Sequence, residues 1–347
     1  MAVDGNSLLH RAHHAHVHSN QRDLTGRPTW GLRGMVAQIG AAAARLTPDA
    51  VVVAFDLGDP ERKGDYPDYK AGRAEKTPEL AEQIAQAPEL LEAAGFAVVR
   101  HEGWEADDCL ASAAARARVQ GWRCTVVTSD RDAFALIDAT TSVLRVITGG
   151  IEASPVLTPG RMPMLYGIEA AQYRDYAALR GDASDNLPGA VGIGAKTAAK
   201  LLASFACVAD AYRAIDEGRE AEVVAAVGPA ATRRLADPVS RANVDRNQRL
   251  MALRDDLDLP EHATMRVPMD LLRVQSALRE RDIHLGPSLW ALTGSAPPGA
   301  DRWAAMAEQD DVAPVLEHLA EQLGVPTTPA RVPEVVVEDL EEQLSLF

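Results

Sequence analysis

Nine carboxylates stand in short acidic clusters along the chain: Asp4, Asp56, Glu105 with Asp107 and Asp108, Asp130 with Asp132, and Asp182 with Asp185. No histidine or cysteine joins them at a metal-ligand spacing, so the donors are oxygen only. Such donors suit Mg2+ or Mn2+ rather than zinc. Held by carboxylates, these ions lower the pKa of water and stabilise the attacking and leaving oxygens of a phosphoryl displacement. Phosphodiester hydrolysis is therefore the chemistry that fits best. A Gly-x-x-x-x-Gly-Lys phosphate loop and a serine nucleophile elbow are both missing, so ATP hydrolysis and acyl transfer find no support. Taken singly, each cluster also suits a bland role, as the acidic first turn of a helix or an Asp-containing loop. Their joint placement separates the two readings, because crowded carboxylates repel unless protonated or neutralised by cations.

The elements that must gather them are legible. Residues 2–3, 51–55, 97–100, 125–128 and 143–147 are short, β-branched and almost continuously apolar, as strands of a parallel sheet buried on both faces are. Helical patterns lie between them at 30–46, 80–94 and 105–120, the last closed by Gly121. The alternation predicts an α/β fold, a parallel sheet with helices on both faces. Asp4, Asp56, Asp130 and Asp132 then follow strand ends at one edge, where doubly wound sheets bind ligands. Glu105, Asp107 and Asp108 open a helix at that same edge. Asp182 and Asp185, three apart, are expected on one face of a helical turn.

From about residue 165 the pattern turns helical, with breaks at Gly181, 188–194, Gly228-Pro229 and Pro238. The expected organisation is an α/β domain at 1–165, a helical subdomain at 166–293, an acidic linker at 294–342 with a short helix near 313–323, and a terminal peptide at 343–347. With 347 residues and 47% hydrophobic content, disorder throughout is excluded. The apolar runs are too short for a bilayer-spanning helix, and residues 1–20 lack a secretory core. Cys109, Cys124 and Cys207 read as reduced thiols, and a cytoplasmic setting follows. The net charge of −15 looks wrong for a nucleic-acid binder. Residues 301–347, however, carry 11 acids against Arg302 and Arg331, which leaves the remainder nearly balanced.

Five motifs together carry a resemblance: Val-Asp-Gly at 3–5, Tyr-Lys-Ala-Gly-Arg at 69–73, Glu-Ala-Asp-Asp at 105–108, Ser-Asp-Arg-Asp at 129–132 and Gly-Asp-x-Ser-Asp-Asn-Leu-Pro-Gly at 181–189. Over about residues 1–290 the chain resembles the bacterial flap endonuclease and 5′-3′ exonuclease family, which includes the 5′-nuclease domain of DNA polymerase I. The resemblance implies a PIN-like 5′-nuclease fold and a set of two or more Mg2+ or Mn2+ ions on the nine carboxylates. It also implies a helical arch over about 57–85, in which Lys70 and Arg73 touch the scissile phosphate; spaced by three, both can face one way on a helix. The substrate it implies is duplex DNA with a 5′ flap, nick or gap, in replication and repair.

Residues 189–194, followed by Lys196, Thr197 and Lys200, place small residues and then a helix N-terminus where a backbone can approach phosphate. In the family this is a helix-turn-helix grip on duplex DNA, centred here on Gly192 and Gly194, and such turns often hold K+. Arg11 and His14 match residues usual in the family, whereas His10 and His13 stand where relatives often carry aromatics. Any base stacking there falls to imidazole. His16 and His18 complete an unevenly spaced His-rich run that reads as a helix and loop beside the site rather than as a metal site. Gln343, Leu344, Leu346 and Phe347 resemble the peptide by which bacterial replication proteins bind the sliding clamp, Leu and Phe filling an apolar groove. A cytoplasmic, nucleoid-associated monomer without membrane contact is expected. The competing reading is a catalytically weak junction binder or clamp-tethered scaffold.

Overall fold

The computed structural model describes residues 1–58 and 60–295. The expectations for the acidic linker, its short helix and the peptide at 343–347 lie outside the described residues. A six-stranded sheet runs in the order β3-β2-β1-β4-β5-β6, with β1 (Ala2–Asp4), β2 (Val52–Ala54), β3 (Ala97–Val99), β4 (Cys124–Thr128), β5 (Thr141–Arg145) and β6 (Val156–Leu157). The first five are parallel, Ala2 opposing Val52 on one side and Val126 on the other. Two details correct the sequence reading. β5 begins and ends two residues before the expected 143–147, and β6, too short to give a pattern, adds an antiparallel edge.

Alternation along the strands feeds two cores. Val3, Val53, Val127 and Leu144 pack with Leu32, Met35 and Ile39 of α2 (Trp30–Leu46), beside α1 (Gly5–His16) and α4 (Pro78–Ala94). On the other face Ala2, Val52, Val126 and Val143 pack with Leu110 of α5 (Ala106–Val119) and with Phe134, Tyr173 and Tyr176. The 3–4 spacing of Leu32, Met35, Val36 and Ile39 explains why α2 forms where its apolar stripe predicts. Thr47, left-handed at φ 42°, ends it. The strand order reverses between β1 and β4, so the crevice of the fold opens at their carboxyl ends.

Beyond the sheet come α6 (Met162–Tyr166), α7 (Tyr173–Arg180), α8 (Ala195–Ser204), α9 (Val208–Asp216), α10 (Glu220–Val227), α11 (Pro229–Ala236) and α12 (Pro238–Leu250). Between α7 and α8 lies a hairpin of β7 (Gly181–Asp182) and β8 (Leu187–Pro188). Asp185 thus occupies a hairpin turn and Asp182 a strand, not one face of a helical turn. Glycine makes the crossing possible: Gly181 has φ 79°, and a Cβ on Gly189 would stand 2.3 Å from the Leu179 carbonyl oxygen.

After α12 and the short α13 (His262–Met265) the chain returns to the sheet half. Val274 and Leu278 of α14 (Leu271–Arg279), with Leu289 and Leu292, join the core containing α2 and α4. Residues 166–293 therefore do not form one separate helical unit. The expected arch also differs, because α3 spans only Pro60–Asp65 and turns fill 67–72. Lys70, at φ 58°, and Arg73 lie in and just after those turns rather than on one helix. Pro67 and Gly72 interrupt any longer helix there.

Candidate metal centre and nucleic-acid interface

β1 delivers Asp4 to the crevice, and its carboxylate is fixed at once. Oδ1 accepts the Ser7 backbone N–H at 2.8 Å, and Oδ2 accepts the Thr128 hydroxyl at 2.7 Å. β4 ends beside it, and Asp130 follows, its Oδ1 accepting the Asp132 N–H at 3.0 Å. α5 starts at the same edge and brings Asp107. Oxygens of Asp107, Asp130 and Asp132 lie within 4.8 Å of one another. Asp56 is exposed, held by the Asn6 amide at 2.7 Å and by the Ala106 N–H at 2.8 Å.

The electrostatics register the crowding. Loss of solvent contact and the charges of Asp56 and Asp130 push Asp4 up to about 7, against the pull of its two hydrogen bonds. Desolvation, then Asp130, Asp4 and Asp132, raises Asp107 far above the usual carboxylate range. Asp132 also rises well above it, by desolvation and then Asp130, Asp182 and Asp185, and Asp130 rises too. Without a cation their charged forms are disfavoured; a divalent ion reverses the balance. The all-oxygen cluster therefore fits hard divalent cations.

The remaining acids are differently engaged. Glu105 is buried and paired with Lys70 and, at 3.0 Å, with Arg62, and it accepts the Tyr69 hydroxyl at 3.3 Å. Asp108 is fully buried and bridged twice by Arg62, both at 2.8 Å. Asp185 is buried against Arg73, 2.5 Å away. Asp182 accepts the Ser184 N–H and hydroxyl at 2.8 and 2.6 Å. The structure thus brings Asp107, Asp130 and Asp132 together, keeps Asp4 and Asp56 beside them, and turns Asp108 away into an ion pair.

An open cleft of about 1160 Å3 adjoins the cluster, lined by Asp130, Arg131, Arg145, Arg180, Asp182 and Tyr66 among others. Arg11 donates to the Thr148 hydroxyl at 3.4 Å. His14 is exposed, whereas His13 is buried, its Nδ1 3.0 Å from the Gln83 amide and its ring against Trp30. His13 is therefore not available for base stacking. His10 keeps a half-buried ring, pushed down to about 4 by burial and then by Lys76 and His14, so it is neutral at physiological pH. Gly192 (φ 70°) and Gly194 stand exposed before α8, with Lys196 and Thr197 in its first turn and Lys200 one turn later. Arg234 of α11 donates to the Gly192 carbonyl at 3.0 Å.

Asn6, Thr128 and Arg62 carry the geometry of the site and escaped the sequence reading. Thr128 could have been found as the last strand residue before Asp130. Arg62 lies in a basic stretch that looks solvated until its partners, 43 and more positions away, are known.

Two domain models describe most of the chain: the 5′-3′ exonuclease N-terminal resolvase-like domain at residues 1–161 and the 5′-3′ exonuclease C-terminal SAM fold at residues 168–270. DNA polymerase I of Mycobacterium tuberculosis is 40% identical over 206 residues, covering 59% of this chain and 23% of that protein. DNA polymerase I of Deinococcus radiodurans is 33% identical over 339 residues, covering 94% and 34%. The chain spans about a quarter to a third of the length of these curated relatives. Among solved structures it is similar to the bacteriophage T5 5′-exonuclease with bound zinc, at TM-score 0.57 and 19% identity over 91% of this chain and 98% of that one. It is also similar to the T5 flap endonuclease in complex with DNA and metal ions, at TM-score 0.56 and 20% identity, with coverage of 91% and 98%. At such identities the likeness establishes the fold. With both domain models matched in order over about three quarters of its length, the chain belongs to the 5′-3′ exonuclease family.

Proposed function

We propose that this chain is a divalent-metal-dependent 5′ nuclease that hydrolyses phosphodiester bonds in DNA bearing a 5′ flap, nick or gap. The observation that carries the reading is the meeting of Asp107, Asp130 and Asp132 at the crevice of a parallel sheet, with cationic Lys70 and Arg73 beside it. The chemistry that ions add in such a site is a lowered water pKa and stabilised charge on the attacking and leaving oxygens. Asp107, Asp130 and Asp132, with Asp4 and Asp56 adjoining, would hold them, and the oxygen donors favour Mg2+ or Mn2+.

Arg11, His14 and the arginines of the cleft can orient the phosphate backbone. Residues 189–194 with Lys196, Thr197 and Lys200 supply a sequence-neutral grip on duplex, and the turn would be the place to hold K+. Flap removal during Okazaki-fragment processing and repair is the role this reading supports. The T5 flap endonuclease, to which the chain is similar in structure, was solved in complex with DNA and metal ions. The test is cleavage of a labelled 5′-flap duplex with and without Mg2+. Expected are metal-dependent turnover on the flap and little on a blunt duplex; tight junction binding with no turnover in Mg2+ would favour the scaffold reading instead.

Gln343, Leu344, Leu346 and Phe347 would dock on a bacterial sliding clamp as a tethered apolar anchor, raising the local concentration of the nuclease at a loaded junction. Deleting residues 343–347 should abolish clamp binding in calorimetry and leave oligonucleotide cleavage unchanged. Full clamp binding by the truncated protein would sink this assignment.

A further inference from the structure

We infer that Asp108, which the family motif places among the metal-facing acids, ligates no metal, and that with Arg62 it is the positioning pair through which the helical half fixes the first turn of α5. The hydrogen bonds leave it no lone pair for an ion. Oδ1 accepts Arg62 Nη2 at 2.8 Å and the Arg254 backbone N–H at 3.0 Å. Oδ2 accepts Arg62 Nη1 at 2.8 Å and the Glu105 N–H at 3.2 Å. A carboxylate offers about four acceptor directions, and all four are filled by donors of this chain. Asp107, its neighbour in sequence, is the one that meets Asp130 and Asp132.

Arg62 is equally saturated. Its guanidinium has five N–H donors. Nε serves the Leu250 carbonyl at 3.0 Å, Nη1 serves Glu105 and Asp108, and Nη2 serves Asp108 and the Ala252 carbonyl at 3.3 Å. Leu250 is the last residue of α12, so the guanidinium also caps the negative end of that helix.

The same helix grips, along its length, the turn proposed to hold duplex. Ser240 Oγ accepts the Val191 N–H at 3.0 Å, Asn243 donates to the Gly189 carbonyl at 3.2 Å, and Asn247 donates to the Pro188 carbonyl at 3.1 Å. The helix therefore links that turn to Arg62, Asn247 standing less than one turn before Leu250. Through Arg62 it reaches Glu105, the residue preceding α5, and Asp108 at its third position, the two partners of a capping box. Whatever docks on residues 188–194 is thus coupled to the orientation of Asp107 through packed, fully satisfied contacts.

The cleavage arm of the test rests on the 5′-nuclease reading and the exchange arm on the duplex binding proposed for residues 188–194; the ion-counting arm rests on neither. Mn2+ is titrated calorimetrically into full-length metal-free protein. Asp107→Asn should lose a bound ion, while Asp108→Asn and Arg62→Lys keep the wild-type number. Hydrogen exchange is then followed at residues 105–112 with and without a nicked duplex in EDTA. The duplex should slow exchange there in the wild type, and Arg62→Lys should erase that protection without changing duplex affinity. Flap cleavage by Arg62→Lys should fall about 10- to 100-fold, as loss of a group that orients ligands does. Should a single variant fail to fold, Arg62→Met with Asp108→Leu removes both charges together, leaves neither buried alone, and is read in the same two assays. Loss of an ion by Asp108→Asn equal to that of Asp107→Asn, or duplex-induced protection that survives in the Arg62 variants, overturns the inference. Failure of the wild type to cut flaps would count against the nuclease reading alone, since ion number and exchange still decide this one.

Discussion

Asp130→Asn is expected to lower single-turnover cleavage of a 5′-flap duplex on the order of 1,000-fold, the scale on which lost electrostatic stabilisation acts in a preorganised site. Asp130 is one of three acids whose oxygens lie within 4.8 Å, and it is the one exposed to the cleft. The substitution keeps an oxygen that can accept the Asp132 N–H, now made at 3.0 Å, so the loop after β4 should persist. It also relieves a group whose pKa desolvation and the charges of Asp185 and Asp182 raise. The metal-free variant should therefore melt no lower than the wild type near pH 8, even as activity collapses. Rates from rapid quench at saturating Mg2+, beside a melting curve in EDTA, check both halves. Near-wild-type turnover would remove Asp130 from the ion-binding set.

Lys70→Ala should slow the chemical step about 100-fold or more while leaving duplex affinity almost unchanged, and Arg73→Ala should follow in the same direction. Each cation is now engaged by an acid of the site, Lys70 by Glu105 and Arg73 by Asp185 at 2.5 Å. The charge of Glu105 raises the pKa of Lys70 despite the opposing effect of burial, so the ammonium stays protonated at any working pH. Contact with a phosphate requires these pairs to exchange, carboxylate to metal ion and cation to phosphate. The loss should therefore appear in the rate of a bound substrate. Lys196→Ala, in the first turn of α8, should show the reverse: weaker binding across all duplexes and a salt dependence reduced by about one phosphate contact. Binding isotherms at several salt concentrations and single-turnover rates separate the two classes; equal losses of rate and affinity in all three variants would contradict the assignment.

The sequence by itself determined the sheet half. Its strands are buried on both faces, so their apolar runs were continuous enough to read, and a parallel sheet forces residues after strand ends to one edge. Asp4, Asp56, Asp130 and Asp132 needed nothing more to reach that edge, and α2 formed where its stripe predicted. What only the tertiary structure decided lies where local signals are weak and partners are distant. The turn conformation of Lys70, the hairpin that separates Asp182 from Asp185, the burial of His13 and the return of residues 274–292 to the first core are all of this kind. Arg62 is the clearest instance: a charged residue in a polar stretch reads as solvated, because burying a guanidinium is unfavourable unless every donor is met. Here the acceptors come from Glu105, Asp108, Leu250 and Ala252, up to 190 positions away, and only folding brings them within reach.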